Sequence, residues 1–156
     1  MVKTNVMRLL EQAGIDYQAL EYEVDEDNLS GEHAAELVNM PPEQVFKTLV
    51  AKGDKKGITV FCIPVNLELN LKKAAAVTGD KKIELLHVKD LLGTTGYIRG
   101  GCSPIGMKKK FPAYMDETAI LYDEICVSAG IRGCQLRLSR EKLVGYIDAV
   151  LCDIAE

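Results

Sequence analysis

The chain contains no run of about 18 or more apolar residues, so no transmembrane helix is expected. Its opening residues, MVKTNVMRLLEQAG, lack the apolar run and small-residue cleavage site of a secretory signal peptide. Cysteine occurs five times, an odd number, and no two cysteines form a CxxC pair. The two histidines, His33 and His87, have no partner at metal-ligand spacing. These absences predict a reduced, cytoplasmic protein without structural disulfides, bound metal or cofactor. Each cysteine then reads first as a small buried hydrophobe. Several nucleotide and hydrolase signatures are missing as well. No GK[ST] follows the glycines, which excludes a Walker A loop, and neither GxGxxG nor GxSxG occurs. Internal repeats, low-complexity tracts and linkers are also lacking, so residues 1–156 read as one domain.

What is present supports a real core: 156 residues, 47% of them hydrophobic. The net charge is −4, but it is unevenly spread. From Phe46 to Lys110 there are 13 Lys and Arg against 5 Asp and Glu; the rest of the chain has 6 against 18. A basic middle between acidic ends reads either as ordinary solvated lysines or as one positive face suited to a polyanion.

Capping residues and periodicity organise the chain. Thr4 can cap a helix carrying Val6, Leu9, Leu10 and Ala13 on one side, ended by Gly14. YQALEYEV (17–24) reads as a strand and DEDN as a loop. Ser30 can cap GEHAAELVN, which Pro41-Pro42 stops. VFKTLVAK and GITVFCIPV read as a β-hairpin across GDKKG. Asn70 can cap LKKAAAVTG, closed by Gly79. KIELLHVKDLLGTT is ambiguous, a strand leading into a short helix. YIRG, AILYDEICVS and CQLRLS look like strands, and Ser139 can cap REKLVGYIDAV. Without a βαβα rhythm, the expected class is α+β: a mixed, mostly antiparallel, barrel-like sheet surrounded by short helices.

Two regions stand out chemically. On a strand, Val45, Lys47, Leu49 and Ala51 share one face, so Lys47 interrupts an apolar row. It is either an edge lysine reaching for water or a lysine at a cavity wall, where an ammonium can polarise a carbonyl or hold a phosphate. Thr48 beside it is a possible hydroxyl donor. The second region is GYIRGGCSPIGMKKK (96–110). Its glycines permit close approach of the backbone to a ligand, and free N–H groups there can form an oxyanion site. Read alone, it is equally a structural turn. Ser103 lacks a nucleophile elbow, and Cys102 lacks an identifiable base. VSAGIRGCQL (127–136) repeats the theme, as a hairpin loop or a second loop near a ligand, with Ser128 and Arg132 as candidate polar contacts.

FKTLV, NLKKAA, GYIRGGCSPIGMKK and VSAGIRG occur in an order and at a spacing that resemble the YbaK/prolyl-tRNA synthetase-associated domain family. The resemblance covers nearly the whole chain and is greatest for the free-standing YbaK branch. It implies a deacylase that hydrolyses the ester of mischarged Cys-tRNA(Pro), and by extension Cys-tRNA(Cys), with tRNA and prolyl-tRNA synthetase as partners. On this resemblance Lys47 matches the family lysine, and Gly100 to Pro104 match its GxxxP loop. Gly100, Gly101 and Cys102 would present backbone N–H groups to the carbonyl, with the Cys102 thiol a bystander, and Pro104 would fix the turn. Tyr22, Ser30, Thr48, Ser103, Pro104, Ser128 and Gln135 would line the substrate site. Lys72, Lys73, Lys108, Lys109 and Lys110 would meet tRNA phosphates. The chain departs from the family pattern at Ser30, where several members have an aromatic, and at Gln135, where some have an aspartate.

The family chemistry uses the substrate's own thiol as nucleophile, so positioning and electrostatics suffice. Alternative readings are an Ala-tRNA(Pro) deacylase on the same scaffold, a non-catalytic tRNA- or synthetase-binding module, and a regulator that uses the fold without hydrolysis.

Overall fold

A computed structural model describes residues 2–156. The chain order is α1 (Asn5–Gln12), β1 (Tyr17–Glu21), α2 (Gly31–Leu37), a 3-10 turn (Pro42–Gln44), β2 (Phe46–Gly53), β3 (Gly57–Pro64), α3 (Leu71–Thr78), β4 (Ile83–Leu85), α4 (Val88–Thr95), β5 (Ala113–Asp116), a second 3-10 turn (Glu117–Leu121), β6 (Glu124–Ser128), β7 (Cys134–Ser139), α5 (Arg140–Tyr146) and β8 (Val150–Cys152).

The anticipated caps are all in place. The side chains of Thr4, Ser30, Asn70 and Ser139 accept the backbone N–H of Met7, His33, Lys73 and Lys142, each satisfying a donor the helix cannot pair internally. The helices are short, so their stability comes from the faces they bury rather than from propensity.

Strands form two sheets, ordered β1-β7-β6 and β4-β2-β3-β5-β8. Four of the pairings are antiparallel, and β3-β5 and β5-β8 are parallel, as expected for a mixed, mostly antiparallel sheet. The ladders do not close into a barrel; an isolated parallel bridge, Val45 to Cys126, links the two sheets. The sheets face each other across the main core. Phe46, Val60, Cys62 and Met115 from one meet Ile125, Val127, Leu136 and Leu138 from the other. Helix α1 adds Val6, Met7 and Leu10, and α5 adds Leu143. On the opposite face of the larger sheet, Ala51, Phe61 and Ile63 pack with Ala74 of α3 and with Ile154. Asp116 fastens the C-terminal end: its buried carboxylate accepts the N–H groups of Thr118, Ile154 and Ala155 and the Thr118 hydroxyl.

Some expectations require correction. YIRG is not a strand: α4 ends just before it, and a turn closes where Gly101 N donates to Ile98 O at 3.0 Å. Of AILYDEICVS, residues 119–121 belong to the 3-10 turn and the strand begins only at Glu124. The first strand stops at Glu21, short of the expected Val24. The last helix stops at Tyr146, and Val150 opens β8 instead. KIELLHVKDLLGTT resolves into β4 and α4.

Candidate functional site

Residues of both sheets, of α2 and α4 and of the glycine-rich loop line a cavity of about 400 Å³. Strand β2 contributes Lys47 and Thr48 to its wall. Lys47 lies opposite Ile63 of β3 and is half-buried, so it is neither an edge lysine in bulk water nor a fully buried one. Gly31, the first residue of α2, makes this approach possible. A Cβ at Gly31 would come within 2.4 Å of Val65 Cγ1, so a larger residue would collide with Val65, while Lys47 Cβ, 3.9 Å away, is at ordinary contact distance. Ser30, the α2 cap, lines the same cavity, as does Tyr22, which follows β1. The Thr48 hydroxyl lies 3.9 Å from the Cys62 sulfur.

The glycine-rich loop supplies Arg99, Gly100 and Cys102 to the cavity. The rest of the GxxxP segment turns away. Ser103 is fully buried, and its hydroxyl accepts the Ile105 N–H at 3.3 Å. Pro104 lines a separate cavity of about 300 Å³ with Ile105, Phe111 and Ile147. The Gly101 N–H is committed to Ile98, so it cannot serve a ligand. That corrects the expectation that Gly101, Ser103 and Pro104 face the substrate: Gly101 and Ser103 are held by the turn, and Pro104 shapes the loop from behind. The N–H groups of Gly100 and Cys102 have no partner among the described residues. The Cys102 thiol is pushed up to about 12 by burial, against a smaller opposing effect from the Thr95 hydroxyl. It is therefore a protonated wall atom at neutral pH.

The second glycine-rich loop braces the first. A Cβ at Gly101 would lie 3.0 Å from the Ile131 carbonyl carbon, so the two backbones are in near contact. Arg132 does not enter the cavity. Its Nε donates to Arg99 O at 2.8 Å and its Nη1 to Glu26 at 3.0 Å. Ser128 and Gln135, neighbours across the β6-β7 ladder, do line the cavity, and both are nearly buried. The Ser128 hydroxyl accepts the Gly130 N–H at 3.1 Å.

The remaining wall is apolar: Leu86 before α4 and Val88 and Leu91 within it. Sequence reasoning missed this wall, together with Arg99 and Glu32. The apolar spacing of ELLHVKDLL was the available signal for the wall, and the arginine beside the glycines was the signal for Arg99.

The five lysines assigned to phosphate contacts are unevenly free. Lys73 pairs with Asp153 at 3.0 Å, and Lys110 pairs with Asp148. Lys108 Nζ donates to Gly93 O at 3.3 Å. Lys72 and Lys109 are exposed. Lys109 and Lys110 border the second cavity rather than the first. Among the described residues, no cluster of three or more His, Cys, Asp or Glu is placed to hold a metal ion, and no helix is long and apolar enough to cross a membrane.

Residues 26–146 match the family described as the aminoacyl-tRNA editing domain. The chain is 50% identical over 152 residues to EbsC of Enterococcus faecalis, named as a candidate Cys-tRNA(Pro)/Cys-tRNA(Cys) deacylase; the match covers 97% of this chain and 93% of that protein. A 78-residue stretch, half of this chain, is 32% identical to 14% of the proline–tRNA ligase of Thermosipho africanus. Among solved structures, a candidate trans-editing enzyme for prolyl-tRNA synthetase superposes with a TM-score of 0.85 at 25% identity, over 100% of this chain and 99% of that one.

Proposed function

The chain belongs to the aminoacyl-tRNA editing domain family, and from that premise we propose that it acts in trans to deacylate Cys-tRNA(Pro), and Cys-tRNA(Cys) by the same chemistry. The observation that carries this reading is that Lys47, Gly100 and Cys102 line one cavity of about 400 Å³, with the N–H groups of Gly100 and Cys102 unpaired among the described residues. That volume accepts a small aminoacyl group and its ribose, while the tRNA body stays outside.

The chemistry needs no protein nucleophile. The thiol of the bound cysteine gives its proton to solvent and its sulfur attacks the ester carbon. The carbon–sulfur bond forms and the carbon–oxygen bond to the ribose breaks, and the ribose oxygen is reprotonated. A strained β-thiolactone leaves and water opens it to free cysteine. Charge develops on the carbonyl oxygen during attack. Backbone N–H donors and the Lys47 ammonium suit that charge. Leu86, Val88 and Leu91 give the site an apolar wall.

Phosphate contacts are assigned to Lys72 and Lys109 first. Lys73, Lys108 and Lys110 would have to exchange their present partners for phosphates. Prolyl-tRNA synthetase is the proposed source of the substrate, because a pocket sized for proline excludes cysteine poorly. The test is deacylation of tRNA(Pro) charged with cysteine, alanine, serine or proline. Rapid release of cysteine alone supports the reading. Preferential release of alanine points to the Ala-tRNA(Pro) alternative, and release of none points to a binding module or a non-hydrolytic regulator.

A further inference from the structure

We propose that the side chain of Arg99 binds the phosphate that joins the terminal adenosine to the rest of the tRNA, and so seats the ester beside Lys47 and the glycine-rich loop. The assignment rests on the deacylase reading above. The covalent structure of the substrate supplies the first constraint. A few sugar carbons and one oxygen separate the esterified ribose hydroxyl from the phosphorus of that phosphate. With the aminoacyl group inside the cavity, this phosphate therefore lies at the cavity's mouth. A cation there fixes the phosphate, and with it the position of the ester.

The charged residues that line the cavity are Glu32, Lys47 and Arg99. Glu32 repels a phosphate, and Lys47 is half-buried on β2 and already assigned to the carbonyl. None of the five lysines considered for phosphate contacts lines this cavity. The exposed apolar residues of its wall, Leu85 and Val88, offer no charge. Arg99 remains. It is exposed and makes no salt bridge among the described residues. Its neighbour Arg132 is the contrast: Arg132 pairs with Glu26, and its Nε donates to the Arg99 carbonyl. One arginine thus anchors the main chain of the other, and the Arg99 guanidinium swings from a fixed root. Its planar fork of N–H donors matches two phosphate oxygens at once. Because Arg132 holds the main-chain oxygen of Arg99, the Arg99 side chain can be replaced without loss of the brace.

The test is a cycle between a charge on the enzyme and a charge on the substrate. Cys-tRNA(Pro) is compared with the same ester carrying an uncharged methylphosphonate linkage at that one phosphate. The neutral linkage should lower the wild-type kcat/KM by ~10–100-fold, and Arg99→Ala should cause a similar loss on the unmodified ester. Together the two changes should cost little more than either alone, because each removes the same contact. Arg99→Lys, which keeps the charge without the fork, should fall between Arg99→Ala and wild type on the unmodified ester. Losses that multiply, an Arg99→Ala variant with an unchanged rate, or a wild type indifferent to the methylphosphonate overturn the assignment and leave the deacylase reading intact. Failure of wild type to release cysteine from the unmodified ester overturns both. If Arg99→Ala does not fold, Arg99→Gln takes its place and must lose the sensitivity to the methylphosphonate.

Discussion

A side chain at Gly100 would crowd Arg132: an added Cβ would lie 3.3 Å from Nε and 3.4 Å from Cγ of that arginine. Gly100 also has φ +86, in the left-handed region. Arg132 in turn holds the loop through its bond to the Arg99 carbonyl, one residue earlier. Gly100→Ala is therefore expected to cost ~1–2 kcal/mol of stability from backbone strain and to lower deacylation at least ~10-fold by shifting the wall. Arg132→Ala relieves the crowding but also removes the brace. The effects of Gly100→Ala and Arg132→Ala on stability should combine less than additively in a double-mutant cycle, since each disturbs the same contact. Strict additivity would separate the two residues.

Lys47→Ala should lower kcat/KM for Cys-tRNA(Pro) by ~10²–10³ while the thermal midpoint moves by only a few degrees. Lys47 makes no salt bridge among the described residues, so its removal strands no carboxylate. A variant with a wild-type rate would assign Lys47 a structural role and remove it from the carbonyl site.

Cys102→Ala should keep most of the activity. With the thiol pushed up to about 12 by burial, Cys102 stays protonated across the neutral range. The rate for Cys-tRNA(Pro) should instead rise with ionisation of the substrate's thiol, giving the same pH profile for wild type and Cys102→Ala. Ser-tRNA(Pro) should be hydrolysed slowly by both, because a hydroxyl of nearly the same size is far less ionised. A folded but inactive Cys102→Ala would reverse the mechanism.

Asp80 should govern acid stability at the far end of β2. Its carboxylate accepts the backbone N–H groups of Lys55, Lys56, Lys81 and Lys82, fastening the β2-β3 turn to the start of β4. Desolvation opposes ionisation, but the four N–H donors outweigh it and hold the carboxyl below its ordinary value of 3.8. A depressed folded-state value means the contribution is full above the ordinary value and is lost as pH falls through the depressed one. Denaturant midpoints of wild type and Asp80→Ala should therefore differ at pH 7 and converge toward pH 2. Gly53→Ala should imitate Asp80→Ala at pH 7, since a Cβ there would lie 1.9 Å from Oδ2 of Asp80. A pH-independent gap between wild type and Asp80→Ala would refute this account.

The sequence by itself determined the features whose physics is local. A cap satisfies donors within three residues of itself, so Thr4, Ser30, Asn70 and Ser139 announced their helices. Alternation along VFKTLVAK singled out Lys47 because its side chain breaks an apolar row, and the hairpin to GITVFCIPV followed from the turn between them. The family resemblance rested on the same contiguous stretches. Tertiary structure decided what depends on partners distant in the chain. The strands Ala113–Asp116 and Val150–Cys152 are too short to declare themselves and exist because β3 and then β5 offer parallel edges to them. YIRG has strand-like residues but finds no ladder there, and its glycine turns the chain back. Ser103 and Gln135 look alike in sequence, two polar residues near glycines. Packing gave Ser103 an internal N–H to accept, and left the Gln135 oxygen buried with none. No local rule can separate them, because a hydrogen bond is satisfied or orphaned only once both sheets, α2 and the two loops have closed around it.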